Sequence, residues 1–400
     1  MQALTLALPS GYRRLSRGVV GPALLILFVL SFIVWDHGMA MDSFTSSRMK
    51  AKQSPPVSPA EKAAAAETAA SEKASEKAGN STLGFHSIYY INMKNRYDRN
   101  DAMALQSWLS GVDLIEYPAV EPDMFKDVGM PPSRVSLKEG EKGAWRAHAN
   151  IWDEILRKKL PPVLILESDA TWDPNLREIM ARLNKNFQKL LADLHYKKMH
   201  NGGYEKGSKT LEEDPWMSEH WDIISFGQCY EGERYKDVGR WYNDPTVKAG
   251  KDYWGKTIGE ERVVRRSGGI VCTTAYAVSQ TGAAKLLLRT ATNLNGPADL
   301  IVRDMIWKNQ LRAYSVMPPV MGQWTYVENI GMEQRGANSD INGAAGAGKV
   351  DADKENEAWG KALESGSVWT VKPEHPDNAF KETALDSAWS RVFQEGENDL

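Results

Sequence analysis

Hydrophobic residues fall into three regimes along this chain. At 19–35 the run VVGPALLILFVLSFIVW carries no charge, and as a helix it would extend about 25 Å, close to the apolar thickness of a thin secretory-pathway bilayer. From 43 to about 82 large apolar residues become scarce, and stretches such as PAEKAAAAETAASEKASEKAGNST offer little apolar surface to bury. From 87 onward short apolar runs alternate with helical periodicities. The pattern predicts strands at 87–92 (SIYYIN), 113–120, 163–167 (VLILE), 222–226, 271–279 and 313–317. It predicts helices at 98–110, 141–158 and 175–194, and two more beginning at Thr281 and Asp299.

Strands alternating with helices predict an α/β fold with a largely parallel sheet, in which ligands gather at the carboxyl ends of strands. Two stretches break the alternation, His200 to His220 and Glu231 to Arg266, and both are expected as long loops. After Gly331 the run GANSDINGAAGAGKVDADKE reads as flexible, and the tail to Leu400 has no clear period.

Charge then orients the N-terminal segment. Arg13, Arg14 and Arg17 precede the apolar run and Asp36 follows it, which places the N-terminus in the cytosol and the rest of the chain in the lumen. A cleaved signal peptide, with Gly38-Met39-Ala40 near its cleavage site, is the competing reading. Asn80-Ser81-Thr82 is a glycosylation acceptor if that region is luminal. A net charge of −3 supplies no global basic field for nucleic acid. The two cysteines, Cys229 and Cys272, have no zinc spacing and sit in strand-like runs. They are expected as buried thiols, with a single bridge as the alternative.

The chemistry concentrates in VLILESDATWD at 163–173, where a hydrophobic strand ends in Glu167 and Asp169. Two carboxylates spaced in this way can face one hard cation such as Mn²⁺ or Mg²⁺, which would offset charge growing on a departing diphosphate. Acidic residues after a strand also serve as turn formers and helix caps. Arg96 and Arg99 suit phosphate or surface pairs with Asp98. His148 shares a helix face with Trp145, Trp152 and Ile155, as a core histidine or part of a site wall. Asp299 follows Pro297 at a helix start, where it would cap the helix or act as a general base, with Asp304 a weaker candidate for that role.

Together these segments resemble glycosyltransferase family 25, which includes bacterial lipooligosaccharide and animal collagen galactosyltransferases. The resemblance runs from about Ile88 to Gln323. It is carried by IYYIN at 88–92 with Arg96, Asp98 and Arg99, by YPAVE at 117–121, and by GEKGA at 140–144 with His148 and Trp152. LESDA at 166–170, AYAVS at 275–279, Gly282-Ala283, Pro297, Asp299-Leu300, Pro319 and Gln323 continue the same order. Ser168 departs from the family's central acid, and Ala144 and Ala147 stand where Cys and Ser are usual.

The resemblance implies a GT-A-type Rossmann-like domain with a metal at Glu167 and Asp169. Asn92, Arg96, Arg99, His148 and Gln323 would then bind the donor, and Asp299 or Asp304 would act on the acceptor. The expected division is a cytosolic tail (1–18), a signal anchor (19–35), a disordered stem (36–84), a catalytic domain (85–330) and a flexible C-terminal extension (331–400). The expected activity is inverting transfer of galactose or glucose from a UDP-sugar to a glycan or glycoprotein. The expected place is the Golgi or endoplasmic reticulum membrane. An inactive relative that binds glycan or a partner is the alternative, since Ser168 alters the acidic motif. A metal-dependent hydrolase is disfavoured, because the sequence holds no HExxH, nucleophile elbow or His-rich ligand set.

Overall fold

The computed structural model describes residues 58–195, 209–330, 351–371 and 379–393, apart from 122, 123, 125, 127, 132, 135 and 136. Its principal strands are β1 (Ile88–Asn92), β2 (Ile115–Pro118), β3 (Val163–Glu167), β4 (Ala170–Trp172), β5 (Ile223–Ser225), β6 (Gly239–Asn243), β7 (Glu261–Arg266), β8 (Ala275–Val278), β9 (Ala313–Met317), β10 (Met321–Tyr326) and β11 (Trp369–Val371). The helices are α1 (Pro59–Ala78), α2 (Tyr97–Ser110), α3 (Glu139–Lys158), α4 (Leu176–Asp193), α5 (Gln280–Thr292), α6 (Ala298–Trp307), α7 (Ala352–Ser365) and α8 (Ala388–Phe393).

Eight strands form one sheet in the order β2, β1, β3, β8, β5, β9, β7, β6. Alternation along the inner strands explains why both faces are covered. Ile88, Tyr90, Leu164 and Leu166 enter the core on one face, against Leu183 and Phe187 of α4. Tyr89, Val163 and Ile165 enter the opposite core, against Trp152 of α3, Leu286 of α5 and Met305 of α6. The result is a three-layered mixed α/β fold.

The sheet is mixed, which corrects the largely parallel one expected. β1 runs parallel to β2 and β3, and β5 parallel to β9. β8 is antiparallel to both β3 and β5, and β7 to both β9 and β6. Parallel neighbours need a crossover, usually helical, whereas the segment between β5 and β8 contains no helix and returns in the opposite direction.

That same segment was expected as a loop from 231 to 266, yet it supplies two of the sheet's strands. Arg262 and Arg265 of β7 are fully buried. They pair with Asp244 at 2.7 Å and Glu231 at 3.3 Å, so a core strand is written in charged letters. The described end of the other expected loop, 209–220, holds turns and one short 3₁₀ helix, Ser218–His220.

Cys229 and Cys272 form a disulfide, which corrects the expectation of thiols. The cause is register: Tyr230 pairs antiparallel with Val271, so Cys229, one before Tyr230, faces Cys272, one after Val271. Part of the expected disordered stem is ordered too. Ala74, Ser75 and Ala78 of α1 are buried against α4, and Gly79 permits the approach, since a Cβ there would lie 3.1 Å from the Cβ of Ala181. The extension beyond 331 is likewise ordered where it is described. β11 pairs with β10, which pairs with β4. The expected anchor lies outside the described residues, and among those described no helix is long and apolar enough to cross a membrane.

Candidate active site

A cleft opens at the carboxyl ends of β1 and β3, enclosing about 120 Å³. Glu167, Ser168 and Asp169 enter it because β3 stops there and the chain turns into β4. Gly140, Gly143, Ala144 and Ala147 form the opposing wall at the start of α3. Gly143 is required by closeness, because a Cβ would sit 2.6 Å from the carbonyl oxygen of Val120. The unpaired amides of a helix's first turn create positive potential. This wall, with the Arg99 guanidinium, makes the cleft suited to an anion.

Asp169 is almost fully buried and tightly held. Its Oδ2 takes a 3.0 Å ion pair from Arg99 Nη2 and a 2.7 Å hydrogen bond from Gln323 Nε2. Its backbone carbonyl accepts from the amide of Trp324 at 2.8 Å. The other carboxylate oxygen, Oδ1, is buried with no hydrogen-bond partner among the described residues. An unsatisfied buried oxygen is costly unless a ligand completes it. A divalent cation therefore fits these residues, which present hard oxygen donors at Glu167 and Asp169. No cluster of three or more His, Cys, Asp or Glu side chains able to hold a metal occurs among the described residues. A cation here would take its remaining ligands from substrate phosphate and water, as Mg²⁺ commonly does.

Glu167 is oriented from two sides. Thr273 Oγ1 donates to its Oε1 at 2.7 Å, and His148 Nε2 lies 3.7 Å from the same oxygen. Behind His148, Trp152 Nε1 donates to the Tyr276 hydroxyl at 2.9 Å, and that hydroxyl is in hydrogen-bond contact with His148 Nδ1 at 3.0 Å. When the hydroxyl proton goes to Nδ1, the Nε2–H faces Glu167. Burial works against ionisation of Glu167, but His148 first, then Thr273 and Arg99, hold its carboxyl below the usual carboxylate range. Burial drives the Tyr276 hydroxyl far above its ordinary value, so it remains a donor.

Of the nine residues predicted for the site, Arg99, His148, Glu167, Asp169 and Gln323 line the cleft. The other four lie outside that lining. Asn92 is buried at the end of β1, donating to Glu116 at 3.3 Å. Arg96 is engaged with Asp98 through Nε at 2.9 Å and Nη2 at 2.8 Å, and Asp98 also accepts from Tyr326 at 2.6 Å. Asp299 accepts from the backbone amide of Cys272 at 3.3 Å. Asp304 forms ion pairs with Lys308 at 2.8 Å and Arg289 at 3.7 Å. Sequence reasoning passed over Thr273 and the Trp152–Tyr276 pair. Their signal is the antiparallel pairing of β8 with β3, which places Ala275 opposite Leu166 and so brings Thr273 beside Glu167.

The sequence has counterparts among known proteins. The human protein named inactive glycosyltransferase 25 family member 3 is 24% identical over 263 residues, covering 60% of this chain and 36% of that protein. A Drosophila melanogaster protein named glycosyltransferase 25 family member is 30% identical over 166 residues, 38% of this chain and 26% of its own length. Human procollagen galactosyltransferase 2 is 24% identical over 124 residues, 28% of this chain and 20% of its own length. The chain thus spans about a third or less of the length of these relatives. A family model described as glycosyltransferase family 25 (LPS biosynthesis protein) matches residues 85–302, more than half of the chain, and the chain belongs to that family.

Proposed function

We propose that this protein is a metal-assisted inverting glycosyltransferase that moves a hexose, galactose or glucose, from a UDP-sugar to a glycan or glycoprotein. The observation that carries the reading is the cleft itself: a carboxylate pair at the end of β3 faces an arginine and a helix N-terminus, so that cation and diphosphate find complementary charge side by side. The end of β3, beside the reversal of strand order, is where α/β folds of GT-A type would seat a nucleotide. Arg99 would steady donor phosphate while it holds Asp169. Glu167 and Asp169 would hold Mn²⁺ or Mg²⁺, which when bound neutralises charge that develops on the leaving diphosphate. His148, fixed by Tyr276, would keep Glu167 ionised and oriented. The relative named as a galactosyltransferase supports galactose as the transferred sugar.

The proposed setting is the Golgi or endoplasmic reticulum membrane, with residues 19–35 as a type II anchor and the catalytic domain luminal. The disulfide supports this, because such bridges persist in oxidising compartments. Protease treatment of intact microsomes tests it: digestion of the C-terminal domain without detergent contradicts a luminal domain.

A second reading is a catalytically inactive member that binds glycan. Ser168 favours it, as do relatives whose names call them inactive. The two separate on one experiment. Purified full-length chain, given a panel of nucleotide sugars with Mn²⁺ or a chelator, releases nucleotide from one donor in the metal-dependent case. Release from none, with glycan binding retained, selects the second reading.

A further inference from the structure

We infer that Thr273 is a positioning residue for Glu167, and that Asp299 and the Cys229–Cys272 bridge exist to hold Thr273 in place. The inference rests on the reading of Glu167 as a cation ligand, and assigns to Asp299 a role other than proton transfer. It begins with a strained residue. Cys272 has φ +67°, a left-handed conformation that residues other than Gly, Asn and Asp seldom adopt. Such a conformation persists only where its surroundings enforce it.

Two constraints enforce it. The disulfide ties the side chain to Cys229, whose amide donates to the carbonyl of Val271 at 3.1 Å. The backbone amide of Cys272 donates to Oδ2 of Asp299 at 3.3 Å. Asp299 is itself fixed in the first turn of α6, where its Oδ1 accepts from the amide of Leu300 at 2.8 Å. The reversal at Cys272 turns the chain so that the next two residues meet the end of β3. Thr273 donates its hydroxyl proton to Glu167 Oε1 at 2.7 Å, and Thr274 receives the Glu167 amide on its carbonyl at 2.9 Å.

Thr273 has one hydroxyl proton, and it is used on one oxygen of this carboxylate. The bond restrains rotation about the last torsion of Glu167, the least restricted one in a glutamate. Partners of this kind fix a ligand before the metal arrives, and removing one lowers metal affinity by roughly 10- to 100-fold.

Calorimetric titration of Mn²⁺ into the purified full-length chain tests the inference without relying on turnover. Thr273→Val keeps the shape and deletes the hydroxyl; Asp299→Leu keeps the branched heavy-atom skeleton, though not the volume, and deletes the acceptor. Each is expected to weaken Mn²⁺ binding by roughly 10-fold or more, with the thermal melt showing a folded chain. Thr273→Ser and Asp299→Asn retain the oxygen and are expected to rescue binding. Thr273→Ala carries the comparison if the valine variant does not fold. Parental affinity in the Val and Leu variants overturns the inference and leaves the proposed site intact. Parental Mn²⁺ affinity in Asp299→Leu together with loss of transfer in Asp299→Asn overturns the positioning role of Asp299 in favour of a general base. A parental chain that takes no Mn²⁺ removes the metal reading, and the inference falls with it.

Discussion

Individual charged residues divide sharply between those that serve the cleft and those that hold the fold. Glu167 and Asp169 ended a legible strand, and their presence in the cleft follows from where VLILE stops. Thr273 was not legible, because a threonine 106 positions away carries no local signal; only strand pairing joins it to Glu167. Glu231 belongs to the fold. Burial pushes its carboxyl up to about 7, against the pull of Arg265 and of the Gly268 amide, which donates at 2.7 Å. An unfolded glutamate titrates near 4.3. A folded value above the unfolded one means that the native state favours the protonated form. The contribution of Glu231 to stability is then complete below about pH 4 and lost as pH rises towards 7. Relative to Glu231→Gln, the parental protein should lose on the order of 2 to 3 kcal/mol between pH 5 and 8. Parallel stability curves for the two proteins over that range would contradict the assignment.

At the scale of elements, β3, α3, α4 and β9 were readable because their apolar periods are uninterrupted. β6 and β7 were not; in β7 Arg262 and Arg265 occupy core positions and find their partners far away in sequence. Two elements make testable contributions to the cleft. The N-terminal turn of α3 approaches Val120 so closely that Gly143→Ala must push the helix outward. Nucleotide binding should weaken by roughly 10-fold, which amounts to about 1.4 kcal/mol, and overpacking against a backbone carbonyl should also cost roughly 1 to 3 kcal/mol of stability. Unchanged nucleotide affinity by calorimetry would mean that this helix end does not meet the donor. β10 presents Gln323 to Asp169 and Tyr326 to Asp98, and is braced by β11 and by Phe380, which is 4% exposed. Phe380→Ala should cost roughly 3 to 5 kcal/mol of stability. A thermal melt within a degree of the parental one would show that the C-terminal segment does not support β10.

Among the described residues, the family 25 domain is accompanied by ordered segments on both sides. The described part of the supposed stem is a helix packed on α4, and the segment after 350 adds a strand beside β10. Both were obscured: the alanine-rich helix has little apolar periodicity, the tail's scattered apolar residues have no clear period, and the order of both comes from surfaces made elsewhere in the chain. The motif order from Ile88 to Gln323 was visible because it depends on local residues, and the pairing that assembles them was not. The arrangement leaves one central claim, that the paired carboxylates at the end of β3 support sugar transfer with a divalent cation. The most direct measurement compares the parental full-length chain with Asp169→Asn, recording UDP release from UDP-galactose and UDP-glucose with Mn²⁺ and with a chelator. The account predicts Mn²⁺-dependent release by the parental protein, abolished by the chelator and lowered by roughly 100-fold or more in a folded Asp169→Asn variant. Equal release by the two proteins, or release indifferent to the cation, would contradict it.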